Sequence, residues 1–91
     1  MTTINELAKI VADDFKATMD EFGFETFNEM AKCYWWTSAD IKEEVSAIVD
    51  EVARERNELL YVSDDGEDVF AGCEDVSYRT FAKMFRKEIC K

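Results

Sequence analysis

The stretch Thr37 to Asn57, TSADIKEEVSAIVDEVARERN, decides the fold. Its apolar residues recur every three or four positions, as they do on the buried face of an amphipathic helix. These residues are Ile41, Val45, Ile48, Val49 and Val52. Thr37 is placed as the N-cap, and Asp40 three residues later completes a variant of the capping box. The stretch therefore predicts one long helix that packs one face against a core.

Carboxylates line a flank beside the apolar face of this helix. The six residues are Asp40, Glu43, Glu44, Asp50, Glu51 and Glu55. The helix rises about 22 Å from the first to the last, which gives a carboxylate roughly every 4 Å. One strand of B-DNA carries a phosphate about every 3.4 Å along its axis. The flank therefore predicts either a surface that imitates a phosphate strand or, more simply, a solvated helix face.

Two more helices are predicted before this stretch, and each begins with a T-x-x-E capping box. The first runs from Thr3 to Phe22, and Gly23 is placed to end it in a left-handed conformation. The second is shorter and runs from Thr26 to about Trp36. Its predicted inward-facing residues are Phe27, Met30, Ala31, Tyr34 and Trp35.

After Asn57 the pattern changes from helical to extended. Residues 59–62 and 69–71 are short apolar runs, and Asp65-Gly66 between them is typical of a hairpin turn. Gly72 and Cys73 are expected to leave the hairpin, and Ser77 is placed to cap a last helix that ends near Cys90. The prediction is an α+β fold in the order α-α-α-β-β-α, with residues 1–91 as one domain around one core.

Trp35 and Trp36 are adjacent, so on a helix their side chains point about 100° apart. Only one of them fits fully into the core. The other either covers the start of the third helix or, as Trp often does, anchors a binding partner. Trp36 is therefore included among the candidate partner-binding residues.

Composition indicates a packed cytoplasmic globule. Apolar residues make up 47% of the chain, which is too many for a disordered acidic tail. No apolar run approaches the roughly 18 residues of a membrane span, and the N-terminus lacks signal-peptide features. Cys33, Cys73 and Cys90 are odd in number and far apart, so we expect reduced, buried thiols.

The sequence offers little for catalysis or for metal binding. It contains no His, which removes the usual general base and the usual zinc constellations. It also lacks a P-loop, a G-x-G-x-x-G motif and a G-x-S-x-G motif, which would indicate phosphate binding or a nucleophilic serine. The Asp-rich turn fails as an EF-hand, because no register places both Gly66 and a first acidic ligand correctly. We therefore expect no enzymatic activity, no cofactor and no metal site.

The net charge of −10 favours basic partners over nucleic acid, because a field of this sign repels phosphates. The tip of the predicted hairpin carries further acids, which would extend the acidic flank of the third helix if the tip lies beside that helix. These acids are Asp64, Asp65, Glu67 and Asp68. Residues 77–91 are instead basic, with five Lys or Arg against one Glu.

Two resemblances accompany these observations. Three helices followed by a hairpin resemble the winged-helix arrangement, but the third helix presents acids where DNA readers present Arg, Lys, Asn or Gln. In size, acidity and composition the chain resembles phage-encoded inhibitors of host defence, such as anti-CRISPR and anti-restriction proteins.

The second resemblance implies a non-catalytic inhibitor. Such a protein would occupy the nucleic-acid-binding surface of a basic protein or nucleoprotein complex. The alternative is a helix-turn-helix-like adaptor or a homodimer that uses an apolar and aromatic surface.

Overall fold

The computed structural model describes all residues from 1 to 91 and shows an α+β fold in the order α-α-α-β-β-β-α. The elements are α1 Ile4–Phe22, α2 Phe27–Cys33, α3 Ser38–Arg56, β1 Leu60–Val62, β2 Asp68–Ala71, β3 Glu74–Ser77 and α4 Tyr78–Ile89. The predicted class and the four predicted helices are confirmed. The sheet has one strand more than the predicted hairpin.

The helices begin where the capping residues predict. Thr3, Thr26, Thr37 and Ser77 each accept a hydrogen bond from the backbone N–H three residues later. At the start of α3 the interaction is reciprocal, because the Asp40 carboxylate accepts the Thr37 N–H at 2.9 Å while Thr37 Oγ1 accepts the Asp40 N–H at 3.2 Å. Side chains thus satisfy backbone donors that a helix start would leave free.

The prediction that α2 runs to Trp36 is wrong, because the helix ends at Cys33. Trp35 adopts a left-handed conformation with φ 59° and reverses the chain. Its N–H donates to the Lys32 carbonyl at 3.2 Å, and the Trp36 N–H donates to the Ala31 carbonyl at 2.9 Å. This pair of bonds is a Schellman motif, in which glycine normally holds the position that Trp35 occupies.

The three strands form an antiparallel sheet in the order β1-β2-β3. Gly72 and Cys73 leave the β1-β2 hairpin as expected, but they form a two-residue turn into a third strand that the sequence did not predict, with Gly72 at φ 63°. Val76 is the only residue of β3 that packs against the core. One inward apolar residue gives no alternating pattern, which is why the sequence did not predict this strand.

One core of 20 apolar residues lies under the helices. α1 packs against α4, and α3 packs against β1. Where α1, α2 and α4 meet, the rings of Phe15, Phe27 and Phe85 are in contact, with centroids 5.0 to 6.4 Å apart. All five predicted apolar residues of α3 are buried. No helix is both long enough and apolar enough to cross a membrane.

The N-terminal residues are tied to the end of α3. Thr2 is buried, and it donates its N–H and its hydroxyl to the two carboxylate oxygens of Glu58 at 2.6 and 2.5 Å. Arg56 donates to the same hydroxyl oxygen at 2.9 Å. The two hydrogen bonds from Thr2 hold the pKa of Glu58 below its ordinary value. Glu58 therefore has a structural role, because it holds the N-terminal residues against the end of α3.

The cysteines contradict the expectation of buried thiols, because Cys33, Cys73 and Cys90 are all exposed. Each lies at the end of a secondary-structure element or in a turn: Cys33 is the last residue of α2, Cys73 lies in the turn before β3, and Cys90 follows α4. Side chains at such positions point away from the core, so none of the three contributes to its packing.

Candidate protein-binding surfaces

Three carboxylates of α3 share one side of the helix. Glu44, Glu51 and Glu55 are spaced by seven and four positions, which places them in one row. All three are exposed. Asp14 of α1 lies close enough to Glu51 for the two charges to interact. We call these four residues the acidic face.

Asp14 reports the electrostatic character of the acidic face. Partial burial raises the pKa of its carboxyl above the ordinary value of 3.8, and the negative charge of Glu51 raises it further. Both causes disfavour the charged form of the carboxyl. The second of them, the interaction with Glu51, reports a negative charge close to Asp14 on this face.

The remaining acids of the predicted flank lie elsewhere on α3. Glu43 and Asp50 are seven positions apart and share a second row, away from the acidic face. Asp40 is half-buried and is occupied in the cap of the helix, where its carboxylate accepts hydrogen bonds from Thr37. The structure thus divides the six carboxylates among two rows and a cap.

The hairpin tip is not next to the acidic face. Gly66 at the tip lies against the side chain of Lys42, which is two positions from Glu44 and so on the opposite side of α3. Within the tip, the Asp65 carboxylate accepts the Ser63 hydroxyl at 2.6 Å and the Glu67 N–H at 3.0 Å. These bonds, with the Lys42 charge, lower the pKa of Asp65. Asp64 and Glu67 are exposed, and Asp68 is half-buried at the start of β2.

The acids of α3 have no ionic partner inside the fold. The two ion pairs within 4 Å join the N-terminal amine to Glu58 and Lys91 to Glu88. Neither pair includes the acidic face or the hairpin tip. The basic residues of α4 therefore do not mask the acids of α3 by direct pairing.

The adjacent tryptophans occupy different environments at the corner between α2 and α3. Trp36 is half-buried, and its ring lies 6.1 Å from Phe15 and stacks on Tyr34 at 5.3 Å. Trp35, which was predicted to face inward, is 88% exposed. The prediction fails because the left-handed turn at Trp35 directs its side chain outward. A bulky residue in this conformation is uncommon and strained.

A groove of about 670 Å³ separates α3 from α4. Ile41, Ala82 and Phe85 contribute to its apolar floor. Its rim carries four cations and one acid: Lys42, Arg79, Lys83, Arg86 and Glu43. We call this feature the cationic groove. The α4 cations of the rim are exposed. The sequence showed that residues 77–91 are basic but did not predict the groove.

The spacing of the α4 cations was the one available sequence signal for the groove. Arg79, Lys83 and Arg86 follow one another at four and three positions, which places them in one row on the helix. The opposite wall comes from α3, and only the tertiary fold shows that the two helices stand apart there.

The structure brings together no group of three or more Cys, Asp or Glu side chains that could hold a metal ion. No protein-family model matches the chain, and neither the curated proteins nor the solved structures searched include a match to it.

Proposed function

We propose that the protein is a non-catalytic cytoplasmic inhibitor that binds a basic, nucleic-acid-binding protein through its acidic face. The observation that supports this function is the row of Glu44, Glu51 and Glu55, which is exposed and unpaired and has Asp14 beside it. A cluster of like charges destabilises a fold modestly. A cationic partner surface would relieve that repulsion on binding and would be steered toward it.

The spacing of the row suits a surface that binds phosphates. Along the axis of α3, Glu51 and Glu55 are about 6 Å apart, and Glu44 and Glu51 are about 10 Å apart. With one phosphate about every 3.4 Å along a B-DNA strand, these separations are close to two and three phosphate steps. The acidic face would therefore compete with a nucleic-acid backbone for the same Arg and Lys side chains.

The resemblance to phage-encoded inhibitors in size and acidity makes a host defence nuclease, such as a CRISPR nuclease complex, the first partner to test. In this proposal the inhibitor prevents the nuclease from binding nucleic acid and does no chemistry itself. The exposed acids of the hairpin tip would lie outside the main contact, since they are not adjacent to the acidic face.

The test is capture of the partner from host lysate on immobilised protein, with duplex DNA as the competitor. The triple variant Glu44→Lys, Glu51→Lys and Glu55→Lys should lose the partner, and both duplex DNA and high salt should release it from the native protein. The matched control reverses three exposed acids elsewhere, namely Asp20, Glu25 and Asp75. Equal capture by the triple variant and the control would reject the acidic face as the binding surface.

The aromatic corner favours a second candidate function, an adaptor or homodimer that binds through apolar contacts. Trp35 is 88% exposed, and Tyr34 beside it is 41% exposed. Aromatic residues of this kind are enriched among interface hot spots. A complex formed here should be nearly insensitive to salt and should be lost in Trp35→Ala, which light scattering or the same capture experiment would detect.

A further inference from the structure

The cationic groove is an exception within a strongly acidic protein. The chain has 21 acids and 11 Lys or Arg, yet Lys42, Arg79, Lys83 and Arg86 surround one groove with Glu43 as the one acid of its lining. None of these cations takes part in either ion pair of the fold. Because acids outnumber bases about two to one, unpaired cations in one place indicate a surface for an external anionic group.

Aromatic contacts hold two of these cations at the groove. The Lys42 ammonium lies 4.8 Å from the centre of the Tyr78 ring, and the Arg86 guanidinium lies 4.8 Å from the centre of the Phe27 ring. Such contacts stabilise a cation without neutralising it. Lys42 also lies near the Asp65 carboxylate, whose pKa its charge helps to lower, so Arg79, Lys83 and Arg86 are the groove cations that remain available to an external anion.

The floor of the groove is apolar and small side chains keep it open. Phe85 is fully buried and Ile41 is 8% exposed, so the apolar surface open to an occupant comes from Ala39, which is exposed, and from Ala82 and Tyr78, which are half-buried. An occupant therefore needs an apolar side to cover the floor as well as negative charges for the rim. This combination describes an amphipathic segment better than a nucleic-acid strand.

The length and charge of the groove further define the occupant. Arg79 and Arg86 are seven positions apart on α4, about 10 Å along the axis, so two to three turns of a second helix match the row. A nucleic-acid strand would continue beyond the groove over a surface whose net charge is −10 overall. A short segment with a few carboxylates fits within the groove and avoids that repulsion.

We infer that the cationic groove binds a short acidic amphipathic helix of a partner protein. The apolar side of that helix covers Ala39, Ala82 and Tyr78. Its carboxylates, repeated every three or four residues, pair with Arg79, Lys83 and Arg86. This site is separate from the acidic face and does not depend on the function proposed for it. The protein would then have two docking surfaces of opposite charge.

The experiment uses three fluorescent peptides of about four helical turns. The first has Leu on one face and Glu beside it, the second has Lys in place of every Glu, and the third has the first composition in shuffled order. The acidic amphipathic peptide should bind with a Kd on the order of 10–100 µM and gain helicity on binding. The other two should bind at least about tenfold more weakly.

Variants of the full chain locate the site. The double variant Arg79→Glu and Lys83→Glu changes two exposed residues and should bind the acidic peptide about tenfold more weakly, with unchanged thermal unfolding. The matched control, Lys9→Glu and Lys87→Glu, makes the same change in net charge at two exposed residues outside the groove. It should retain most of the affinity, and NMR shifts of the native protein should map to residues that line the groove.

Four results would overturn the inference. They are no binding of the acidic peptide at about 1 mM, equal losses in the groove and control variants, shifts that map to the aromatic corner, and tighter binding of a single-stranded oligonucleotide at the same groove. The last result would reassign the site to nucleic acid. None of them bears on capture through the acidic face, so the two proposals fail independently.

Discussion

The two sides of α3 have opposite electrostatic character. On the side near α1, Glu44, Glu51 and Glu55 form the acidic face with Asp14. On the side toward α4, Lys42 and the α4 cations surround the cationic groove. Acids and bases could have been interleaved to give internal ion pairs, but no ion pair joins the two sets. One helix thus separates two charged surfaces, and the charges of both are left without ion pairs inside the fold, although Lys42 lies near Asp65 of the hairpin tip.

The two sides also differ in how they meet the core. The groove floor is part of the core, since Phe85 is fully buried and its ring lies 5.8 Å from Phe15 and Phe81. The acidic face consists of exposed side chains at the surface, as do Arg79, Lys83 and Arg86 on the rim of the groove. Truncation of Phe85 under the groove should therefore affect stability strongly, and changes to the exposed rim or to the acidic face should affect it weakly.

The largest effect is expected from removal of the groove floor by Phe85→Ala. Loss of a fully buried aromatic side chain leaves a cavity and should lower the free energy of unfolding by about 3–5 kcal/mol. Urea unfolding followed by circular dichroism measures this change. The control is Phe22→Ala, which removes a ring that is 59% exposed and should change stability by less than about 0.5 kcal/mol. Similar losses in the two variants would contradict the placement of the floor within the core.

A smaller effect is expected at the edge of the groove from Gly66→Ala. Gly66 has φ 73°, and a Cβ there would lie 2.6 Å from Cδ of Lys42. The control is Gly23→Ala, which has φ 76° but no atom within 4 Å of the added carbon. In both variants the left-handed backbone should lower the free energy of unfolding by about 1 kcal/mol. Gly66→Ala should lower it further, because Lys42 must also move away from the added carbon. Equal losses of stability in chemical denaturation would contradict the prediction, because they would mean that Lys42 moves away from the added carbon at no measurable cost.

The smallest effect is expected on the acidic face, from Asp14→Asn, and it has the opposite sign. Because the pKa of Asp14 is raised in the fold, its charged form is disfavoured. The free energy of unfolding of the Asn variant should therefore exceed that of the native protein by a few tenths of a kcal/mol at neutral pH and low salt. The native protein should gain the same stability as the pH falls through the Asp14 pKa, so the two proteins should be equally stable in acid.

The control for this prediction is Asp20→Asn, an exposed acid on another side of α1, which should leave stability unchanged. Thermal unfolding of both variants across pH, at low and high salt, measures the difference. A gain at Asp14 that persists in acid or in high salt would rule out charge repulsion as its cause.

Features that depend on neighbouring residues could be predicted from the sequence. The helix starts follow from T-x-x-E, T-x-x-D and Ser capping, and the core face of α3 follows from its period. The end of α2 could not be predicted, because a Schellman turn usually carries Gly and here carries Trp35. β3 was missed because Val76 is its single inward apolar residue.

Features that depend on the placement of distant elements were missed or misjudged. The six α3 carboxylates are close in sequence, but whether they form one strip depends on the neighbours of each row, which are α1 for Glu51 and the groove for Glu43. The groove itself joins residues of α3 and α4 that are about 40 positions apart. No local pattern specifies that the two helices stand apart at that point.

The left-handed turn at Trp35 has a spectroscopic consequence. The chain has two indoles, one 88% exposed and one half-buried against Phe15. Their fluorescence should therefore differ in wavelength and in access to a soluble quencher such as iodide. A ligand that covers the corner between α2 and α3 would shield the outer indole, whereas occupation of the acidic face or the groove would leave it open to quencher. The protein thus carries an intrinsic optical reporter that shows which of its surfaces a partner has covered.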